Sequence, residues 1–109
     1  MVSGQFRVFS LFNDLSCGFT SRQAGNMSLS YGDTSLSLRN REAFLGRICI
    51  NYQDLVCAKQ SHGSKVALVK SNQRGSGALA YNSAIEDADA LVTNQKDLPL
   101  AILTADCLS

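Results

Sequence analysis

Leu98-Pro99-Leu100-Ala101-Ile102-Leu103 runs apolar without a break and leads through Thr104-Ala105 into Asp106-Cys107. A run without polar alternation is what a strand covered on both faces requires, so Leu98–Thr104 reads as the central strand of a sheet. Working back toward the N-terminus, Ala88–Thr93 gives a second apolar strand candidate. Leu55–Lys59 and Lys65–Val69 give two more, separated by a short turn-like stretch holding His62-Gly63. Gln5–Phe12 reads as a strand, and Cys17–Ser21 as a further short one. Gln23–Gly32 is loop-like, punctuated by Gly25, Asn26 and Gly32, and Ser71–Asn82 is a polar loop. One helix is expected, with Asp33 or Thr34 supplying the capping oxygen. Leu36, Ala43, Phe44 and Ile48 recur there at helical spacing, and Gly46 marks its end.

The end of the chain is unusual, because a buried strand runs directly into Asp106-Cys107-Leu108-Ser109. C-termini usually lie in exposed, loosely held segments, so the expectation is a sequence cut inside a domain. The 109 residues are one domain's worth and no more. With 10 basic and 9 acidic side chains the net charge is +1, which excludes a basic nucleic-acid arm, an acidic tail and a charge-driven disordered segment. The apolar patch Val8–Phe12 is interrupted by Ser10 and stopped by Asn13-Asp14, too short for a signal peptide or a membrane span. Cys17, Cys49, Cys57 and Cys107 contain no Cys-x-x-Cys pair. Reduced thiols in the cytoplasm are therefore expected, and the Asn26-Met27-Ser28 glycosylation triplet is read as accidental.

Few residues can carry chemistry. His62 is the sole histidine, so no multi-histidine metal site can be assembled from this chain alone. By itself, a histidine beside a turn is more commonly a solvated or hydrogen-bonded loop residue than a ligand. Cys107 follows the apolar run, and open α/β sheets place ligand groups beyond the carboxyl ends of strands. A buried cysteine is also commonly a small hydrophobe, and both readings stand. Cys17, Cys49 and Cys57 read as core. Glu86, Asp87 and Asp89 form an acidic knot that fits solvated or capping carboxylates better than a cation site. Gly75-Ser76-Gly77 lacks the third glycine and the strand–turn–helix context of a nucleotide fingerprint. Arg22, near Thr20 and Ser21, has a planar fork suited to an anion; a surface arginine is the other reading.

Taken in order, several blocks carry a resemblance. They are Gly18-Phe19-Thr20-Ser21-Arg22, Asn26-Met27-Ser28-Leu29, Gly32-Asp33, Asn40-Arg41, Gln60-Ser61-His62-Gly63, Asp87-Ala88-Asp89-Ala90-Leu91-Val92-Thr93 and Leu103-Thr104-Ala105-Asp106-Cys107. This ordered set, spanning nearly the whole chain, resembles the YfiH/laccase-domain family, once called multicopper polyphenol oxidases and now regarded as purine nucleoside-processing enzymes. The resemblance implies an α/β, YfiH-like (cytotoxic necrotising factor-like) mixed-sheet domain, with residues 1–109 as its N-terminal portion. It implies a Zn site in which His62 and Cys107 are two ligands, catalytic as well as metal-binding. The third ligand belongs to a later His-Ala-Gly-Trp-Arg-Gly block that this chain does not contain. Ser61 stands where an apolar residue is commoner.

Thiolate and imidazole suit zinc, and three protein ligands leave a position open. The function implied is purine nucleoside phosphorylase, acting on adenosine, inosine, guanosine-type nucleosides and methylthioadenosine, with adenosine deaminase activity at the same site. Water made acidic by zinc would serve the deamination. The deaminase signature His-x-Glu with Pro-Cys-x-x-Cys is absent, so such activity would be built differently. Arg22 is the expected anion contact, with Asn26 and Ser28 as polar contacts to substrate. The expected partners are purine nucleosides and phosphate, with no nucleic acid and no membrane. Two alternatives stand beside this reading: a copper-dependent polyphenol oxidase, since the same donors accept copper, and a non-catalytic truncated fragment.

Overall fold

The computed structural model describes residues 17–104. The strand expected at Gln5–Phe12 and the residues from Ala105 onward, Cys107 among them, lie outside that range. Helix α1 spans Thr34–Arg47. Asp33 is its N-cap: the carboxylate accepts from the amides of Ser35 at 3.0 Å and Leu36 at 3.3 Å, meeting two donors that the first turn cannot satisfy. The helix passes through Gly46 rather than ending there. It closes with Cys49 in the left-handed region, φ 62°. The Ile50 amide donates to Leu45 O at 2.9 Å and the Cys49 amide to Gly46 O at 3.2 Å. That pair of bonds is the Schellman closure usually built on glycine. It also exposes Cys49, contrary to the core role expected of it; Cys57 is buried and Cys17 partly so.

The face α1 buries differs from the expected stripe. Leu36 is 46% exposed and Ala43 is exposed too, whereas Ser37 and Arg41 are buried. The cause lies opposite the helix, where loops, not a sheet, present carbonyls without ladder partners. Arg41 Nε donates to Met27 O at 2.8 Å, and Nη1 donates to Gly77 O at 2.8 Å and Ala78 O at 2.9 Å. Buried carbonyls need donors, and one guanidinium supplies them. Burial pushes the neighbouring Cys57 thiol up in pKa, and the Arg41 charge partly offsets it.

Strands β1 (Val66–Leu68) and β2 (Ala90–Val92) pair in parallel, with Val66 opposite Ala90 and Leu68 opposite Val92. Isolated parallel bridges join Val56 to Leu100 and Ala58 to Ile85. Leu55–Lys59 is thus flanked on both sides. The Val56 amide donates to Pro99 O and the Ala101 amide to Val56 O; the Ile85 amide donates to Cys57 O and the Lys59 amide to Ile85 O. Leu55, Val56, Cys57 and Ala58 are all buried. The doubly covered position is therefore held by Leu55–Ala58, not by Leu98–Thr104 as its composition suggested. In that run Leu98 is buried but Ile102 is 42% exposed, and among the described residues pairing reaches the run from one side. Cys17–Ser21 forms no strand either; Gly18 alone carries a bridge, and a 3-10 turn follows at Arg22–Ala24.

Two small apolar clusters hold these segments. One joins Leu55, Cys57 and Ala78, and the other joins Val56, Val69 and Leu98. Gly75 and Gly77 serve the first cluster. Both have positive φ, and a Cβ would sit 2.9 Å from Gln53 O at Gly75 and 3.0 Å from Cys57 Cβ at Gly77. The Gly-Ser-Gly stretch is thus a close-packing device. Among the described residues no helix is long and apolar enough to cross a membrane.

Candidate metal centre

Leu55–Lys59 runs out into Gln60-Ser61-His62-Gly63 before the chain turns back to β1. Gln60 fixes the exit. Its Nε2 donates to Leu103 O at 2.8 Å, and its Oε1 accepts from the Leu103 amide at 2.8 Å. Among long side chains only the glutamine amide offers a neutral donor and acceptor side by side, which is what one residue's N–H and C=O demand. The bracket joins positions 43 apart in sequence. His62 follows Gln60 by two residues and Cys107 follows Leu103 by four. The sequence continues from Leu103 through Thr104, the last described residue, toward Cys107.

The His62 turn is held by Asp89, just before β2. Asp89 Oδ1 accepts from the amides of Ser61 at 3.0 Å and His62 at 2.7 Å. Oδ2 accepts from the Gly63 amide at 2.7 Å and the Ser61 hydroxyl at 3.1 Å. Desolvation raises the pKa of this carboxyl, but the donors from Gly63, His62 and Ser61 outweigh it and leave it below the usual carboxylate range. His62 itself is exposed and takes φ 59°. Successive amides converging on one point form a nest for an anion, and here Asp89 fills the nest. The nest is therefore already occupied and closed to any other anion.

The other two acidic residues of the knot have partners of their own. Glu86 pairs with Lys59 at 2.6 Å and Asp87 with Lys65 at 2.9 Å. The Lys65 and Ser61 hydrogen bonds hold the Asp87 carboxyl below its ordinary pKa. Among the described residues, no three of histidine, cysteine, aspartate and glutamate come together as a metal site. The ligand pair that the sequence resemblance implies is the exposed His62 imidazole and the Cys107 thiol, the latter outside the described residues. That pair suits zinc and needs a further ligand from elsewhere.

Arg22, Asn26 and Ser28 lie in the segment ahead of α1. Asn26 Oδ1 accepts from the Ser28 amide at 3.0 Å, its Nδ2 donates to Tyr31 O at 3.3 Å, and its carbonyl accepts from Asn40 Nδ2 at 2.9 Å. Ser28 Oγ accepts from the Ser30 amide at 3.1 Å and lies 2.8 Å from Ser30 Oγ. Both side chains hold their own loop together, and the Asn26 backbone carbonyl joins that loop to α1 through Asn40, while Arg22 is exposed on the 3-10 turn.

Parallel pairing and the Gln60–Leu103 bracket set the exits of two neighbouring segments side by side on an α/β scaffold, with the His62 turn on one of them. The comparisons give the class. Residues 15–109 match the family described as multi-copper polyphenol oxidoreductase laccase, and the chain belongs to that family. The purine nucleoside phosphorylase YlmD of Bacillus subtilis is 32% identical over 101 residues, covering 84% of this chain and 36% of that protein. The adenosine deaminase RL5, from an unknown prokaryotic organism, is 30% identical over 78 residues, covering 71% of this chain and 30% of that protein. The crystal structure of YlmD from Geobacillus stearothermophilus superposes with a TM-score of 0.72 at 31% identity, over 82% of this chain and 32% of that one. The chain thus has the YlmD-type α/β fold, and it spans about a third of the length of the relatives it matches.

Proposed function

We propose that this sequence is the N-terminal portion of a single domain whose full-length protein is a purine nucleoside phosphorylase, with adenosine deaminase activity at the same site. The observation that carries the reading is the Gln60–Leu103 bracket, which ties the His62 turn to the segment leading into Cys107. Identity to relatives named for phosphorolysis and for deamination supports the choice of substrate. The family's description points to copper oxidation, but the named relatives favour the nucleoside reading.

In this reading His62 and Cys107 hold zinc together with a third ligand outside the present sequence. Zinc there supplies Lewis acidity and a more acidic water. The chain's own residues do the rest. The Asp89-held turn fixes where the imidazole sits, and Gln60 fixes the spacing to the Cys107 segment. The exposed fork of Arg22 takes up phosphate, on a loop that Asn26 and Ser28 brace. In phosphorolysis the C1′–N9 bond breaks, its electron pair leaves with the purine, and a phosphate oxygen forms the new bond to C1′. In deamination water adds at C6 and ammonia departs. The test is a nucleoside panel on the full-length protein with and without inorganic phosphate. Phosphate-dependent release of free purine is expected, together with phosphate-independent inosine from adenosine. A protein that leaves every nucleoside intact while oxidising phenols with copper bound would overturn the reading.

A further inference from the structure

We propose that Asp89 is a positioning residue for the metal site, setting the His62 turn before any metal arrives; the proposal rests on the assignment of His62 as a ligand. Both oxygens of Asp89 already accept two hydrogen bonds each, from Ser61, His62 and Gly63. A carboxylate has about four lone-pair positions, so Asp89 has none left for a metal or a substrate proton without releasing the turn. Its service is to the backbone of residues 61–63.

That backbone needs holding. A histidine at φ 59° occupies a region sparsely used by residues with a side chain, and such conformations persist where the surroundings impose them. The turn is exposed on all four of Ser61, His62, Gly63 and Ser64, so burial does not impose it. Asp89 does, from a position anchored by β2. Its neighbour Asp87 pairs with the Lys65 ammonium and reaches the turn only at the Ser61 side chain, accepting none of the three turn amides.

Groups that orient a ligand typically change metal affinity by about 10–100-fold when removed. In the full-length protein, Asp89→Asn is therefore expected to weaken Zn(II) at least tenfold, read by chelator competition per folded molecule. Asp87→Asn should leave it within about twofold. Zinc affinity within twofold of wild type in folded Asp89→Asn overturns the proposal. A second measurement needs no variant. In metal-free wild-type protein the amides of Ser61, His62 and Gly63 should already be protected from hydrogen exchange. Protection that appears only when Zn(II) is added shows that the metal shapes the turn, and also overturns it. His62→Ala separates the two levels: zinc held as tightly as in wild type removes the ligand assignment itself, whatever Asp89 does to the turn.

Discussion

Replacing Gln60 by leucine tests the bracket on which the functional reading stands. The substitution keeps the side chain's length approximately and removes both 2.8 Å hydrogen bonds to Leu103. Each such bond contributes about 0.5–1.5 kcal/mol net, so the pair contributes about 1–3 kcal/mol, toward the upper end where a half-buried carbonyl and amide are left unmet. Gln60→Glu is the more informative partner. It retains the acceptor for the Leu103 amide but replaces the donor with a second oxygen facing the Leu103 carbonyl, so at neutral pH it should cost at least as much as leucine. The assay is equilibrium urea unfolding of the full-length protein with the two variants side by side. Zinc affinity, measured in parallel, should fall in both, because the segments leading to His62 and Cys107 lose their common register. Stability within about 0.5 kcal/mol of wild type in Gln60→Glu would mean that the amide is not bracketing Leu103 in solution, and the argument for a shared site would fail with it.

Two other substitutions probe the scaffold. Arg41→Ala leaves the carbonyls of Met27, Gly77 and Ala78 without their donor. Charge-assisted bonds contribute about 1.5–3 kcal/mol each but do not add fully, giving about 3–5 kcal/mol in urea unfolding. Arg41→Lys should recover only part, since one ammonium cannot reproduce the fork; a cost under about 1 kcal/mol for alanine would contradict the buried role. Asp87 carries a pH signature. Its folded pKa is depressed, so its contribution is present above the unfolded value of about 3.9 and is lost as pH falls through the folded one. Wild type should be slightly more stable than Asp87→Asn at neutral pH, with the gap closing in acid. The gap is small because the Lys65 pair is exposed, and a gap that widened in acid would reverse the sign of the argument.

What could be read from the sequence was what is local. The Asp33 cap, the extended runs around Val56, Val66 and Leu91, and the turn at His62-Gly63 depend on neighbours a few residues away, and composition marks them. The centre of the pairing was misjudged. Leu98–Leu103 is more uniformly apolar than Leu55–Lys59, yet the latter is bracketed on both sides and buried. Pairing partners, not composition, decide coverage. The buried face of α1 was misread because Arg41 serves carbonyls up to 37 residues distant. Asp89 read as a solvated or capping carboxylate, and it caps; which amides it caps was not legible, because they lie 26–28 residues earlier. For Gln60, a glutamine placed two residues before a histidine was the visible signal; its partner at Leu103 was not.

If Cys107 ligates metal together with His62, one pair of variants will report it. Bound zinc and nucleoside turnover are measured per folded molecule for Cys107→Ser and Cys49→Ser in the full-length protein. A serine hydroxyl gives up its proton far less readily than a thiol and is a poor zinc ligand at neutral pH. Cys107→Ser should therefore lose metal and activity together while remaining folded. Cys49, exposed at the end of α1, should tolerate serine with both retained. Cys107→Ser with wild-type turnover and its zinc still bound would contradict that ligation.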